Sequence, residues 1–445
     1  MTARPDGGAG RPRASEIAVA VLLFLLVGGV TALTQPPVTF NSGKGWDGVS
    51  YYAMADQFRA GVRPDADAPF VHRPGTPFLA SLVPGSDRIA AFRAVNVAGS
   101  LLATLLLLYW LSHFLRERWL RLALVALFLI PWHAPARFTF FYPVYTDPWL
   151  FVFLLLGWIA IKRYEDDPGP GPLACLGATT AVGVVFRETV LLIPLAFLYS
   201  SIRRSLGSGD RFAFLQMPVP ALAGPRYRRL FIPLLLGLAA SFAVHQLTSD
   251  RGPYSSAEWA LIWGTEKSAV LWLEGIFLAF GPVVVIPVVF WRTLVPFFRE
   301  NRALAASFFA LAALSYFAGS DTERILYWAM PIVCLAIGLS VQERPAVFRS
   351  LPLVLLLAVS QGVSQRLFWT TPDYPNDFVT PPPVLTPPTS RCQYFDLYSY
   401  HGTVSLQGVS LVQYGALALL IGLWLVKRES SLRALPRPDA SPSDP

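Results

Sequence analysis

The chain has 445 residues, of which 54% are hydrophobic and only 14% charged, with a mean hydropathy of +0.47. That balance excludes the two or three water-soluble domains its length would otherwise allow. The net charge of +8 lies in short loops between apolar runs, which excludes the basic stripe of a nucleic-acid-binding protein.

Apolar runs of about 16 to 22 residues recur from end to end, the length that crosses roughly 30 Å of hydrocarbon. The expected fold is an all-α polytopic membrane protein. Twelve spans are predicted, at 16–34, 90–114, 119–136, 147–163, 171–186, 188–202, 230–247, 268–291, 303–319, 324–341, 350–366 and 408–426. The first follows a short tail, 1–15, and lacks a small-residue cleavage site, so it reads as an anchor.

The first connecting loop, 35–89, is long. Within it, 46–60 reads as a helix ended by Gly61, with Tyr51, Met54, Ala55 and Phe58 on one face, as in a helix lying in the membrane interface. A second helical piece is expected from Pro77 to Leu82. Further on, 171–202 as one helix of 32 residues would be about 48 Å long, too long for a bilayer. Two short spans bent at Arg187-Glu188 resolve this and leave those two charges in a polar cavity below the membrane surface, where charges are costly and usually functional. The last loop, 367–407, carries seven prolines from Pro372 to Pro388 and reads as an extended strap. The segment after Lys427 reads as a disordered tail.

With the N-terminus cytoplasmic, this count places 23 of the 36 basic residues on the inner side. The positive-inside rule therefore favours cytoplasmic termini and an outer-face position for the first loop; the expected location is the plasma membrane. Cys175 and Cys334 fall in apolar runs and Cys392 in the last loop, a pattern with neither a disulfide framework nor zinc-ligand spacing.

Few polar residues are then left to carry chemistry. Asp47, in Trp46-Asp47-Gly48 with Tyr51 and Tyr52 just beyond, is suited to act as general base for a hydroxyl or as a divalent-metal ligand. The plainer reading is a helix N-cap. Asp147, in Tyr145-Thr146-Asp147-Pro148, stands where a helix starts, with Pro at the first position, yet on the same face as Asp47. Ser320 and Glu323 fit a capping box, which leaves Asp321 and Arg324 to explain, the latter a cation near a positive helix end. Arg73, Arg187 and Arg324 are the outer-face arginines suited to grip a phosphate, against a structural pairing such as Arg187 with Glu188 or Glu274. Of five histidines only His72, beside Arg73, adjoins these residues, and none forms a metal-binding spacing. There is no phosphate-binding loop or dinucleotide fingerprint, and no nucleotide cofactor is expected.

These pieces, with Phe186-Arg187-Glu188-Thr189 and Asp321-Thr322-Glu323-Arg324, resemble the GT-C superfamily of membrane glycosyltransferases, in particular bacterial members without an assigned substrate. The resemblance covers roughly residues 16–345, leaving 346–426 as C-terminal spans around the proline-rich loop. It implies interfacial helices in the first outer loop and an inverting transfer of sugar from a polyprenyl-phosphate donor to a glycan, lipid or protein hydroxyl on the outer face. Asp47 would be the catalytic residue. Tyr51, Tyr52, His72, Arg73, Asp147, Arg187, Glu188, Asp321 and Arg324 would bind substrate. The chain departs from the family in having no adjacent acidic pair in the first loop, no Asp-x-Asp at the Asp47 segment and no soluble C-terminal domain. A transporter or lipid flippase is the alternative; it would show repeated halves and helices broken near the midplane. A non-catalytic scaffold leaves the charged residues unexplained.

Overall fold

The computed structural model describes residues 11–205, 225–252, 254–377, 393–402 and 404–433. Cys392 and the prolines at 381–388 lie outside them. Within the described residues the chain is almost wholly helical. Helix α1 is Ala14–Thr34, and the first loop folds into α2 (Gly48–Arg59) and α3 (Gly75–Leu82). Then come α4 (Arg88–Leu111), α5 (Arg118–Leu129), α6 (Pro135–Phe141), α7 (Asp147–Asp166), α8 (Pro170–Phe186) and α9 (Leu192–Ser205). After the gap follow α10 (Pro225–Leu230), α11 (Ile232–Leu247), α12 (Ser256–Glu266), α13 (Ala269–Phe280), α14 (Val285–Val289), α15 (Trp291–Glu300) and α16 (Arg302–Phe317). The last four are α17 (Thr322–Tyr327), α18 (Met330–Glu343), α19 (Leu351–Ser364) and α20 (Val404–Arg433).

Among the described residues, four stretches are long and apolar enough to cross a membrane: Ala14–Thr34, Arg88–Leu111, Arg228–Leu247 and Leu406–Arg433. A fifth is gained if the pair 269–280 and 282–289, bent by 104°, is one span. Their outer faces expose Leu22, Leu33, Phe242, Val412 and Leu423, side chains that water would penalise and lipid accepts. The expected count of twelve is not confirmed by this test. Several expected spans are interrupted: 119–136 ends as a helix at Leu129, just before Pro131, whose missing N–H cannot continue it. The stretch 324–341 divides between α17 and α18, and 268–291 bends at Gly281, which has φ +74°. The tail also needs correcting, because Lys427–Arg433 belongs to α20.

The first loop is integral to the protein. The α2 face carrying Tyr51, Met54 and Ala55 is buried, and Phe58 meets Phe78 of α3 edge-on, so that face is covered by protein and not by the membrane interface. Residues 65–66 pair in parallel with 249–250, tying the loop to the end of α11. The described parts of the last loop also clasp it, one near its start and one near its end: Thr39 N–H donates to Asp373 (2.8 Å), and Trp46 stacks on Tyr394 with ring centroids 4.6 Å apart. The first loop is thus held from two sides over one end of the bundle.

Candidate functional site

Asp47 ends a tight loop that only particular residues permit. Gly45 has φ +68°, and a Cβ there would stand 2.3 Å from the Tyr142 ring. Asn41 Nδ2 holds the loop by donating to the Gly45 carbonyl (2.8 Å). Asp47 occupies the N-cap position of α2, yet its side chain makes no capping bond. The N–H groups a cap would serve, those of Val49 and Ser50, go to the Trp46 and Asp47 carbonyls, and the Gly48 N–H donates to the Tyr142 hydroxyl (2.7 Å). The plainer reading of Asp47 as a cap therefore fails, and its carboxylate turns toward Arg324 at 3.9 Å.

Arg324 is shared by three carboxylates. Its guanidinium lies 2.8 Å from Asp321, 3.6 Å from Asp147 and 3.9 Å from Asp47. The expected box of Ser320 with Glu323 does not form. Glu323 is fully buried and accepts the Ser399 N–H, because the last loop passes close enough to offer a donor.

Asp147 is the first residue of α7, with Thr146 at the cap position. One of its oxygens accepts from Arg187, and the other from Trp328 Nε1 at 3.2 Å. Arg187 lies over the Trp328 ring, 4.4 Å from its centroid, and also donates to the Thr146 hydroxyl (3.1 Å). The supposed pairing of Arg187 with Glu188 or Glu274 is thus replaced. Backbone at Arg187 is extended (φ −165°, ψ 130°), so consecutive side chains leave in opposite directions. Glu188 meets Arg73 in a two-pronged contact, Nε to Oε2 at 2.9 Å, and Arg73 donates to the Tyr51 hydroxyl at 3.2 Å.

One row of charge results, from Glu188 through Arg73 and Arg187 to Asp147, Arg324, Asp47 and Asp321. Tyr51 is part of it. Tyr52 is turned aside beneath the Lys44 ammonium (4.4 Å), and His72 stacks on His245 at 3.8 Å. Burial raises the Asp47 pKa from its ordinary value, with Arg324 opposing that shift. Burial lowers the His72 pKa, and His245 adds to the shift. For Arg73 burial alone would weaken proton binding, but Glu188 more than reverses this and holds the guanidinium charged. The Nε atoms of Arg187 and Arg324 are buried and donate to no acceptor among the described residues, so both have capacity for a further oxygen. Among those residues no three His, Cys, Asp or Glu side chains gather as metal ligands; the carboxylates here surround a guanidinium.

Four contributors were not foreseen. Trp328 stands one turn beyond Arg324, and Tyr142 anchors Gly48. Asn96 donates to the carbonyls of Pro143 and Tyr145, fixing the approach to Asp147. His133 is buried with both ring nitrogens unpartnered among the described residues. An asparagine inside the apolar run of α4 was the readable signal; the aromatic residues offered none in so aromatic a chain.

No family model matches the chain, and no curated protein matches it. Among solved structures, the oligosaccharyltransferase AglB from the archaeon Archaeoglobus fulgidus, in complex with an inhibitory peptide and a dolichol-phosphate, aligns with 94% of this chain. The identity is 13% and the TM-score 0.47, and the alignment spans 56% of the length of AglB. A likeness of that degree fixes neither family nor activity.

Proposed function

We propose that this chain is a membrane glycosyltransferase that moves a sugar from a polyprenyl-phosphate donor to an acceptor hydroxyl at the extracytoplasmic surface, both termini being cytoplasmic. The observation that carries this reading is the Asp47 carboxylate, free of any capping bond, facing a guanidinium with an unused donor. Asp47 takes the proton of the acceptor hydroxyl as its oxygen bonds to the anomeric carbon. The bond from that carbon to the phosphate oxygen breaks, and its electron pair leaves on the phosphate. A fixed cation is most effective where that charge develops, which is the part given to Arg324, with Arg187 beside it. Direct displacement of this kind inverts the anomeric carbon. The resemblance noted from sequence supplies the substrate class.

The helix broken by 104° near Gly281 favours a transporter or flippase as the second reading. Uncharged Gln361 crowds that break, whereas the site's charges gather at the bundle end, which favours transfer chemistry. The test is purified protein in proteoliposomes with labelled polyprenyl-phosphate sugars and mixed acceptors. Cleavage of the sugar–phosphate bond is expected. Passage of intact labelled lipid across the bilayer without cleavage would establish the second reading instead.

A further inference from the structure

A second polar cavity, of about 520 Å³, opens at the far end of the bundle. Lys162, which lines it, lies fifteen residues along α7 from Asp147, about 22 Å at helical rise. Among the described residues five cations line it: Lys162, Arg203, Arg204, Arg299 and Arg302. Three carboxylates accompany them, so the lining charge is five less three, or +2. Two of the carboxylates are already engaged, Asp166 by Lys162 and Glu165 by Arg204 at 2.8 Å.

Cations at the ends of α7, α9 and α15 are in part ordinary compensation for helix dipoles. That account does not extend to Arg302, which opens α16 at the end where a cation is disfavoured. Its Nε donates to the Arg299 carbonyl (3.1 Å), but its Nη1 is buried and meets no acceptor among the described residues. A shielded guanidinium N–H without an acceptor is costly, and a bound oxyanion would remove the cost. The cavity also borders a helix suited to a lipid boundary. Helix α15 buries Leu294 while Trp291, Arg299 and Glu300 are exposed, the pattern of a helix at a lipid boundary. Beneath it only a cleft of about 10 Å³ continues between Trp158, Ile161 and Leu304, too narrow for an acyl chain.

We infer that this cavity binds a net-anionic phosphate group, with Arg302 and Arg299 as its principal donors and any attached chain remaining in the surrounding lipid. The inference is independent of the transfer reaction at the opposite end. Basic pockets between membrane helices commonly take anionic headgroups, and a free phosphate shares the same chemistry.

The test is equilibrium binding to the full-length protein in detergent micelles, using phosphatidylglycerol, phosphatidylcholine and inorganic phosphate as probes. Saturable binding of phosphatidylglycerol or of inorganic phosphate is expected; the first alone identifies a lipid headgroup, and competition between them a free phosphate site. Arg302→Gln should weaken binding about tenfold, the scale of one charge-assisted contact. The exposed Arg299→Gln should do nearly as much, and it carries the test if Arg302→Gln does not accumulate. Arg433→Gln removes the same charge from the exposed end of α20 and should change nothing. Equal binding of phosphatidylcholine, or equal loss with Arg433→Gln, would reduce the cavity to diffuse surface charge and overturn the inference.

Discussion

Two parts of the charged row are built differently. In the closed part, Arg187 with Asp147 and Arg73 with Glu188 meet through short, directed contacts, each buttressed by a further partner: Trp328 under Arg187 and Tyr51 beside Arg73. In the open part, Arg324 is divided among three carboxylates, of which only Asp321 is within 3 Å, so its contacts to Asp147 and Asp47 are loose. Closed pairs are costly to separate and fix geometry. An arginine with unmet capacity beside a carboxylate that holds its proton more tightly than usual is ready for an incoming group. Framework and chemistry are therefore assigned to neighbouring residues of the same types.

Breaking the closed part should unfold and breaking the open part should inactivate. The largest effect is expected from Arg187→Gln, which takes from buried Asp147 its nearest cationic partner. Loss of one member of a buried pair costs about 3–5 kcal/mol, so accumulation and the unfolding midpoint in detergent should both fall sharply. An unchanged midpoint would mean that the pair does not hold the site together. Arg324→Gln should instead accumulate normally and lose about 10²–10³ in turnover, the usual loss when a fixed donor to a developing anion is removed. Thermal scans beside transfer assays separate the two outcomes.

Arg73→Gln tests the comparison more finely. Glu188 keeps 44% of its side chain exposed, so water can take over part of what the guanidinium supplied. A loss of about 1–3 kcal/mol in stability is expected, smaller than for Arg187→Gln, with turnover following the amount of folded protein. A turnover loss far beyond the loss of folded protein would place Arg73 in the chemistry.

The smallest effect is on pH. Because burial raises the Asp47 pKa, the acid limb of activity should have its midpoint above the ordinary carboxylate value of about 4. The sign for stability runs the other way. The folded state binds this proton more readily than the unfolded one, so the contribution of Asp47 is full below the unfolded pKa. It is lost as pH rises through the raised, folded value. Activity and stability should therefore move oppositely over that interval, and Asp47→Asn should remove this part of the stability profile.

Much of this arrangement could be read from residue order. Gly61 marks the end of α2, the apolar spacing of Tyr51, Met54 and Ala55 gives its buried face, and the length of 171–202 demands the break found at Arg187. Pairing could not be read in the same way. Arg187 and Glu188 are adjacent in sequence, but which carboxylate each meets depends on one extended residue and on helices forty and more positions away. Capping failed as a guide for a related reason. Spacing shows where a cap would serve, while Val49 and Ser50, whose N–H groups go to local carbonyls, and Glu323, which accepts from distant Ser399, show that other partners can take its place. Helix interruptions at Pro131 and Gly281 could not be read from apolar runs, since hydropathy is blind to a break in backbone hydrogen bonding.

The most direct test of the account is Asp47→Asn, measured for transfer and for thermal stability on the same preparation. The amide keeps the shape and could still cap a helix about as well, but it cannot accept a proton. Loss of a general base is worth about 10²–10⁴ in rate. The account predicts turnover down by about a hundredfold or more, with normal accumulation and an unfolding midpoint at neutral pH that is unchanged or higher. Wild-type turnover in Asp47→Asn would contradict it and leave the loop around Trp46 as packing over the bundle end.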